Sequence, residues 1–157
     1  MKKSIIDDRP SWDEYFLKLA SLVSERSSDK FIKHGSVIVD NKTKHIIGTG
    51  YNGTVRGFDE TLIDMYNRDE RRPYMIHSEE NALYNCTKNL MELQEGSTIY
   101  VTGVPCVNCL QRIINAGITS IVHYDRIGSI TEDELSAKMR NIILKSFPSL
   151  EIRNLKL

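Results

Sequence analysis

Apolar and polar positions change period several times along the chain, and each change marks an element. Ser11-Trp12-Asp13-Glu14 has the form of a capping box, with Ser11 at the N-cap and Glu14 at N3. Trp12, Tyr15, Phe16, Leu19, Leu22 and Val23 then recur at helical spacing, which predicts a helix to about Arg26 with that stripe turned to the core. Ser36-Val37-Ile38-Val39 reads as a strand, Asp40 to Lys44 as a turn and His45 to Tyr51 as a second strand, a pair that predicts a hairpin. Residues 52–76 are polar and charged, with a short helix predicted near Thr61–Arg68; a loop this long in a compact domain is often functional. Beyond it the pattern predicts a helix from His77 to about Asn89, a strand over Thr98–Thr102, a helix over Cys106–Ala116 stopped by Gly117, and a strand over Ser120–Tyr124. A second capping box, Thr131-Glu132-Asp133-Glu134, opens another helix, and Leu150–Arg153 reads as a last short strand. The order α-β-β-α-β-α-β-α-β predicts an α/β fold with a mixed sheet and helices on both faces.

At 157 residues the chain has the length of one domain; residues 11–157 read as that domain and 1–10 as a short lead-in. No apolar run approaches the roughly 18 residues a membrane span requires. Met1 to Asp8 lacks the apolar stretch and small-residue cleavage site of a signal peptide, so the expected location is cytoplasmic. Lysine plus arginine and aspartate plus glutamate number 21 each, for a formal net charge of zero. Proteins that grip a phosphate backbone usually carry a basic excess. The balance favours a small-molecule partner, with neither nucleic acid nor membrane expected.

The three cysteines are Cys86, Cys106 and Cys109. An odd count in a reducing compartment argues against a disulfide framework, and the close spacing of the last two points toward metal. Two short strings carry the chemistry: His77-Ser78-Glu79 and Pro105-Cys106-Val107-Asn108-Cys109, each opening a predicted helix directly after extended chain. Cys106 and Cys109, at i and i+3 in a first helical turn, present both sulfurs on one side. Two thiolates and one imidazole make a three-ligand zinc set with the fourth position free for water, whose pKa such a metal lowers toward ~7. Glu79 stands beside the metal without being needed as a ligand, where a proton shuttle belongs. The same pattern, H-x-E followed by P-C-x-x-C, is the known signature of zinc nucleobase deaminases, and the glutamate's acid/base role is taken from that class.

With these residues in view, the chain resembles the deoxycytidylate deaminase family within the cytidine deaminase superfamily, over about residues 11–125. Beyond the zinc strings the resemblance rests on Arg26-Ser27, Gly35-Ser36-Val37-Ile38-Val39, Gly50-Tyr51-Asn52-Gly53, Gly57, Asp59, Pro73-Tyr74 and Asn81-Ala82. It implies a three-layer αβα sandwich around a five-stranded mixed sheet, and hydrolysis of dCMP to dUMP and ammonia. It implies zinc on His77, Cys106 and Cys109, with Glu79 as the catalytic proton carrier; because no cysteine precedes Cys86 to hold the second zinc of some viral members, one ion per subunit is expected. Asn52 would bond the sugar, the Ser78 backbone N–H would serve the pyrimidine oxygen, and Pro105 would border the substrate. Arg26 is the candidate for the phosphate, with Arg56, Arg68, Arg71 and Arg72 as alternatives, because a guanidinium can grip phosphate bidentately. Family members are often activated by dCTP, inhibited by dTTP and assembled as homo-oligomers, commonly hexamers; Asn52, Gly53, Gly57 and Asp59 are the candidate effector contacts.

Some positions depart from the family pattern. Ser78 stands where alanine is usual, Val55 where proline is frequent and His34 where an apolar residue is common. Asn52-Gly53 also has a plainer reading as a simple turn, which Asn-Gly favours by itself. Competing functions are deamination of dCTP, cytidine or tRNA adenosine, and a silent zinc fold that senses nucleotides. Glu79 counts against the last, because a scaffold needs the ligands but not the shuttle.

Overall fold

The computed structural model describes residues 7–87, 93, 96–125 and 133–156. Helix α1 (Trp12–Ser24) begins with the expected capping box: Ser11 Oγ accepts from Glu14 N at 3.2 Å, and Glu14 Oε2 accepts from Ser11 N at 2.9 Å. Strands β1 (Gly35–Asp40) and β2 (Ile46–Tyr51) form the expected antiparallel hairpin, its turn held by Asp40 Oδ1 accepting from Lys42 N and Thr43 N. β1 also pairs antiparallel with β3 (Ser97–Val101), which runs parallel to β4 (Ser120–His123) and through it to β5 (Glu151–Asn154). The result is a five-stranded mixed sheet in the order β2-β1-β3-β4-β5.

Alternation along the central strands divides the core between two faces. Val37, Val39, Tyr100 and Val122 point to α1 and meet Phe16, Leu17 and Ala20. Ile38, Ile99, Val101 and Ile121 point the other way, into a cluster with Ala82 of α3 (Ser78–Tyr84) and with Leu110 and Ile113 of α4 (Val107–Asn115). Ile143 and Leu144 of α5 (Glu134–Ser146) border that second cluster. Strands buried on both faces read as unbroken apolar runs, which is why Val37-Ile38-Val39 shows no polar alternation.

The predicted inward stripe of α1 is rotated in the structure. Trp12, Tyr15 and Leu22 are exposed, Leu19 and Val23 only half-buried, and Phe16, Leu17, Ala20 and Ser24 face the sheet. Close approach explains this: a Cβ on Gly35 would lie 2.0 Å from the Ala20 carbonyl oxygen and 2.7 Å from Ser24 N, so the helix comes nearest the sheet at its small residues Ala20 and Ser24. The long loop also differs from expectation. In place of a helix over 61–68 it holds a 3-10 turn at Glu60–Leu62, a four-residue helix α2 (Arg68–Arg71) capped by Asn67, and a 3-10 turn at Arg72–Tyr74.

Helix α3 is shorter than the pattern predicts, ending at Tyr84; Asn89 lies outside the described residues. The chain after it turns to β2, the strand at the edge of the sheet. Asn81 Nδ2, Asn85 Nδ2 and Thr87 N donate to the Tyr51, Thr49 and Ile47 carbonyls at 2.8, 2.9 and 2.8 Å. Capping these edge acceptors takes the place of further helical turns and shields an edge that would otherwise invite pairing. α4 ends as expected at Gly117, which adopts φ 91° while Ile118 N bonds Ile113 O and Gly117 N bonds Ile114 O, a Schellman cap. The expected box at Thr131–Glu134 is replaced: Asp133 caps α5 by accepting from Ser136 N at 2.7 Å, and Thr131 and Glu132 lie outside the described residues. No described helix is long and apolar enough to cross a membrane.

Candidate active site and metal centre

The two sequence strings meet in space. His77 is the N-cap residue of α3, and Cys106 is the N-cap residue of α4, which starts after the carboxyl end of β3. His77 Nδ1 lies 3.5 Å from Cys106 Sγ and 3.4 Å from Cys109 Sγ, and the three ligand atoms all fall within 4.8 Å of one another. Zinc bonds of about 2.3 Å to sulfur and about 2.0 Å to nitrogen, at tetrahedral angles, place N and S roughly 3.5 Å apart. The donor set therefore fits a single zinc ion.

The two thiols also show why they suit a dication. Hydrogen bonding by Cys109, with help from His77 and the Cys109 backbone N–H, holds Cys106 down to about 3, while Cys109, as the other partner of that bond and a buried group, is pushed up. A metal that takes both sulfurs as thiolates displaces their protons. Cys109 N points at Cys106 Sγ at 3.4 Å, an orienting contact made available by the open first turn of α4. Cys86, by contrast, is half-buried against the second core cluster, where burial pushes its thiol up.

His77 and Cys106 line a cavity of about 390 Å³, within the range of small-ligand sites. Glu79 is 6% exposed and reaches the cavity beside His77 and Cys106. Burial pushes its carboxyl up, outweighing its own backbone N–H, the His77 ring and the hydrogen bond from Ser78. Ser78 Oγ donates to Glu79 Oε2 at 3.1 Å and lies 2.7 Å from Ser36 Oγ of β1. Val101 and Asp125, from the carboxyl ends of β3 and β4, supply another part of the wall, the place where open α/β sheets hold ligands.

Asn52 lines the same cavity and is clamped there: its Oδ1 accepts from His34 N at 2.7 Å and its Nδ2 donates to Ile32 O at 2.9 Å. The simple-turn reading of Asn52-Gly53 gives way to a different arrangement, in which Gly53 forms an antiparallel bridge to Ile76 through bonds of 3.0 and 2.8 Å. His34 also faces the cavity, its Nδ1 3.0 Å from Thr102 Oγ1. Pro105 is buried beside the cysteines but outside the cavity wall. Gly57 and Asp59 sit on exposed loop, Gly57 at φ 86° and Asp59 capping the 3-10 turn through Thr61 N.

Arg26 is exposed beyond the end of α1 and does not border the cavity, nor does Arg56. Arg68, Arg71 and Arg72 do, brought in by α2 and the turn after it. Arg71 is 4% exposed; its Nε donates to Asp29 Oδ2 at 3.1 Å, its guanidinium stacks on Phe31, and its Nη1 has no partner among the described residues. Burial works against Asp29 as a carboxylate, but the Ile32 and Phe31 N–H groups and Arg71 outweigh it and hold the carboxyl below its usual range. Sequence reasoning missed Asp29 and Ser36. Asp29 follows the recognisable Arg26-Ser27 by two residues, yet nothing local pairs it with a residue 42 positions away.

Comparison with known proteins agrees with this geometry. The family model described as the cytidine and deoxycytidylate deaminase zinc-binding region matches residues 10–125. A deoxycytidylate deaminase of Mus musculus is 33% identical over 138 residues, covering 85% of this chain and 75% of that protein. A human deoxycytidylate deaminase is 36% identical over 121 residues, 74% of this chain and 66% of that protein. One from Mycobacterium phage D29 is 35% identical over 127 residues, 73% of this chain and 95% of its own. The fold matches the dCMP deaminase of cyanophage S-TIM5 in complex with dCMP and dUMP, with a TM-score of 0.63 at 24% identity over 95% of this chain and 100% of that one. On the match over residues 10–125, the chain belongs to the cytidine and deoxycytidylate deaminase family.

Proposed function

We propose that this protein hydrolyses dCMP to dUMP and ammonia with zinc held by His77, Cys106 and Cys109. One observation carries the reading: His77 and Cys106 of the His–Cys–Cys cluster and the buried Glu79 line a single cavity with three arginines, one of which has a buried Nη1 with no partner among the described residues. Zinc bound by such a set supplies a water nucleophile at neutral pH. Glu79, kept nearly dry, takes a proton from the attacking water and delivers it to ring N3, then takes the proton of the new C4 hydroxyl and hands it to the amine as the C4–N bond breaks and the C4 carbonyl forms. The Ser78 backbone N–H serves the pyrimidine oxygen and Asn52 the sugar. Arg71, with Arg68 and Arg72 on the same wall, receives the phosphate in preference to the exposed Arg26.

One zinc per subunit, a cytoplasmic location, a homo-oligomer with a hexamer favoured, activation by dCTP and inhibition by dTTP complete the reading. The assembly and the effectors rest on the family resemblance. The exposed stretch with Gly57 and Asp59, continuous with the cavity-lining Asn52 and its neighbour Gly53, is the segment assigned to effectors. The deciding experiment measures ammonia release from dCMP, dCTP, cytidine and tRNA, with and without dCTP or dTTP. A kcat/KM for dCMP far above the rest is expected; turnover of tRNA alone, or of cytidine as well as dCMP, overturns the proposal.

A further inference from the structure

We infer that Ser78 and Ser36 form a hydroxyl relay that positions the Glu79 carboxylate, and that both are positioning residues for turnover. The inference rests on Glu79 being the proton carrier of the proposed reaction. Both serines are buried, Ser36 at 0% and Ser78 at 1% exposed, so their hydroxyls depend on protein partners. A buried hydroxyl without a bond is costly, and these two satisfy each other at 2.7 Å. Ser78 has one hydroxyl hydrogen, and it goes to Glu79 Oε2 at 3.1 Å. Ser36 must then be the donor of the 2.7 Å contact, which sets the direction of the whole chain: Ser36 to Ser78 to Glu79.

The arrangement ties the side chain that moves the proton to a strand inside the sheet. Ser36 belongs to β1, paired on both sides, and its Cα partners are Gly50 of β2 and Val101 of β3. A glutamate carboxyl rotates broadly about its last torsion; a hydrogen bond to one oxygen removes that freedom and fixes where the other oxygen points. Positioned catalytic groups lose rate steeply when released. Alanine, usual between this histidine and glutamate, has no hydroxyl for the purpose, so the relay belongs to this chain and not to the shared metal site.

The test measures kcat and KM for dCMP, zinc content and melting temperature in Ser78→Ala, Ser36→Ala and the double variant, together with Ser78→Ala in a Glu79→Gln background. Ser78→Ala is expected to lower kcat about tenfold with KM and zinc content unchanged, the effect of losing a hydrogen bond to a charged group. Ser36→Ala should lower kcat less, and the double variant should be no slower than Ser78→Ala, because Ser36 acts through Ser78. In the Glu79→Gln background Ser78→Ala should change the residual rate little. Unchanged kcat in Ser78→Ala, multiplicative loss in the double variant, lost zinc, or an equal loss in the Glu79→Gln background each overturns the relay. Absence of dCMP turnover in the unmodified protein would instead remove the proposed function, so the two failures are distinguishable.

Discussion

Arg71 and Asp29 lie 42 residues apart in sequence, and Arg71 Nε meets Asp29 Oδ2 at 3.1 Å with both side chains under 10% exposed. The pair ties α2 to the segment after α1; Arg71 lines the cavity, and its buried Nη1 has no partner among the described residues.

Replacing Arg71 by alanine strands the Asp29 charge in a dry site. The expected cost is about 3–5 kcal/mol of stability, the range for breaking one side of a buried ion pair. Urea denaturation measures it, and kinetics should show a raised KM for dCMP.

Acid should act on the same pair. The folded-state pKa of Asp29 is depressed, so its contribution is present above the unfolded value of about 3.9 and is lost as pH falls through the folded value. Denaturation of wild type and Asp29→Asn across pH 6 to 2.5 should show a stability difference that shrinks toward the acid end.

Glu79→Gln keeps the size of the side chain and removes its ability to carry a proton. Turnover of dCMP should fall by about 10²- to 10⁴-fold, with zinc content, measured by elemental analysis, unchanged.

Metal retention should fail in acid, because protons compete with zinc for both sulfurs and the imidazole. Zinc release followed with a chromogenic chelator should rise as pH falls, and Cys106→Ser should release zinc at a higher pH than wild type. Activity lost to a strong chelator should return on adding zinc.

Gly50→Ala probes the packing that seats α3. A Cβ there would lie 2.2 Å from Ala82 N and 2.5 Å from the Ser78 carbonyl oxygen, both backbone atoms, so the helix must move outward. Overpacking of this kind costs about 1–3 kcal/mol. Because Ser78 and Glu79 sit in the displaced first turn, dCMP turnover should fall further than the melting temperature alone would suggest.

Much of this was legible before any coordinates. The capping box at Ser11, the hairpin around Asp40–Lys44, the double-faced run Val37-Ile38-Val39 and the stop at Gly117 are local, and local rules placed them. The candidate metal ligands were legible for a related reason: two sulfurs three residues apart and an imidazole two residues before a carboxylate make a pattern that chemistry constrains tightly. The inward face of α1 was not, because it depends on how close Gly35 lets the helix come. The end of α3 was not either, because Asn85 and Thr87 answer to carbonyls on β2.

Residue order by itself therefore determined the α/β architecture and the candidate donor set of His77, Cys106 and Cys109, and singled out Glu79 beside them. Tertiary structure alone decided that Arg71 and not Arg26 borders the cavity, that Asp29 holds it there, and that Ser36 reaches Ser78. The reason is physical. Backbone preference and ligand spacing act over a few neighbouring residues, whereas a buried charge or hydroxyl takes its partner from whichever distant strand or loop the packed core brings within hydrogen-bonding distance.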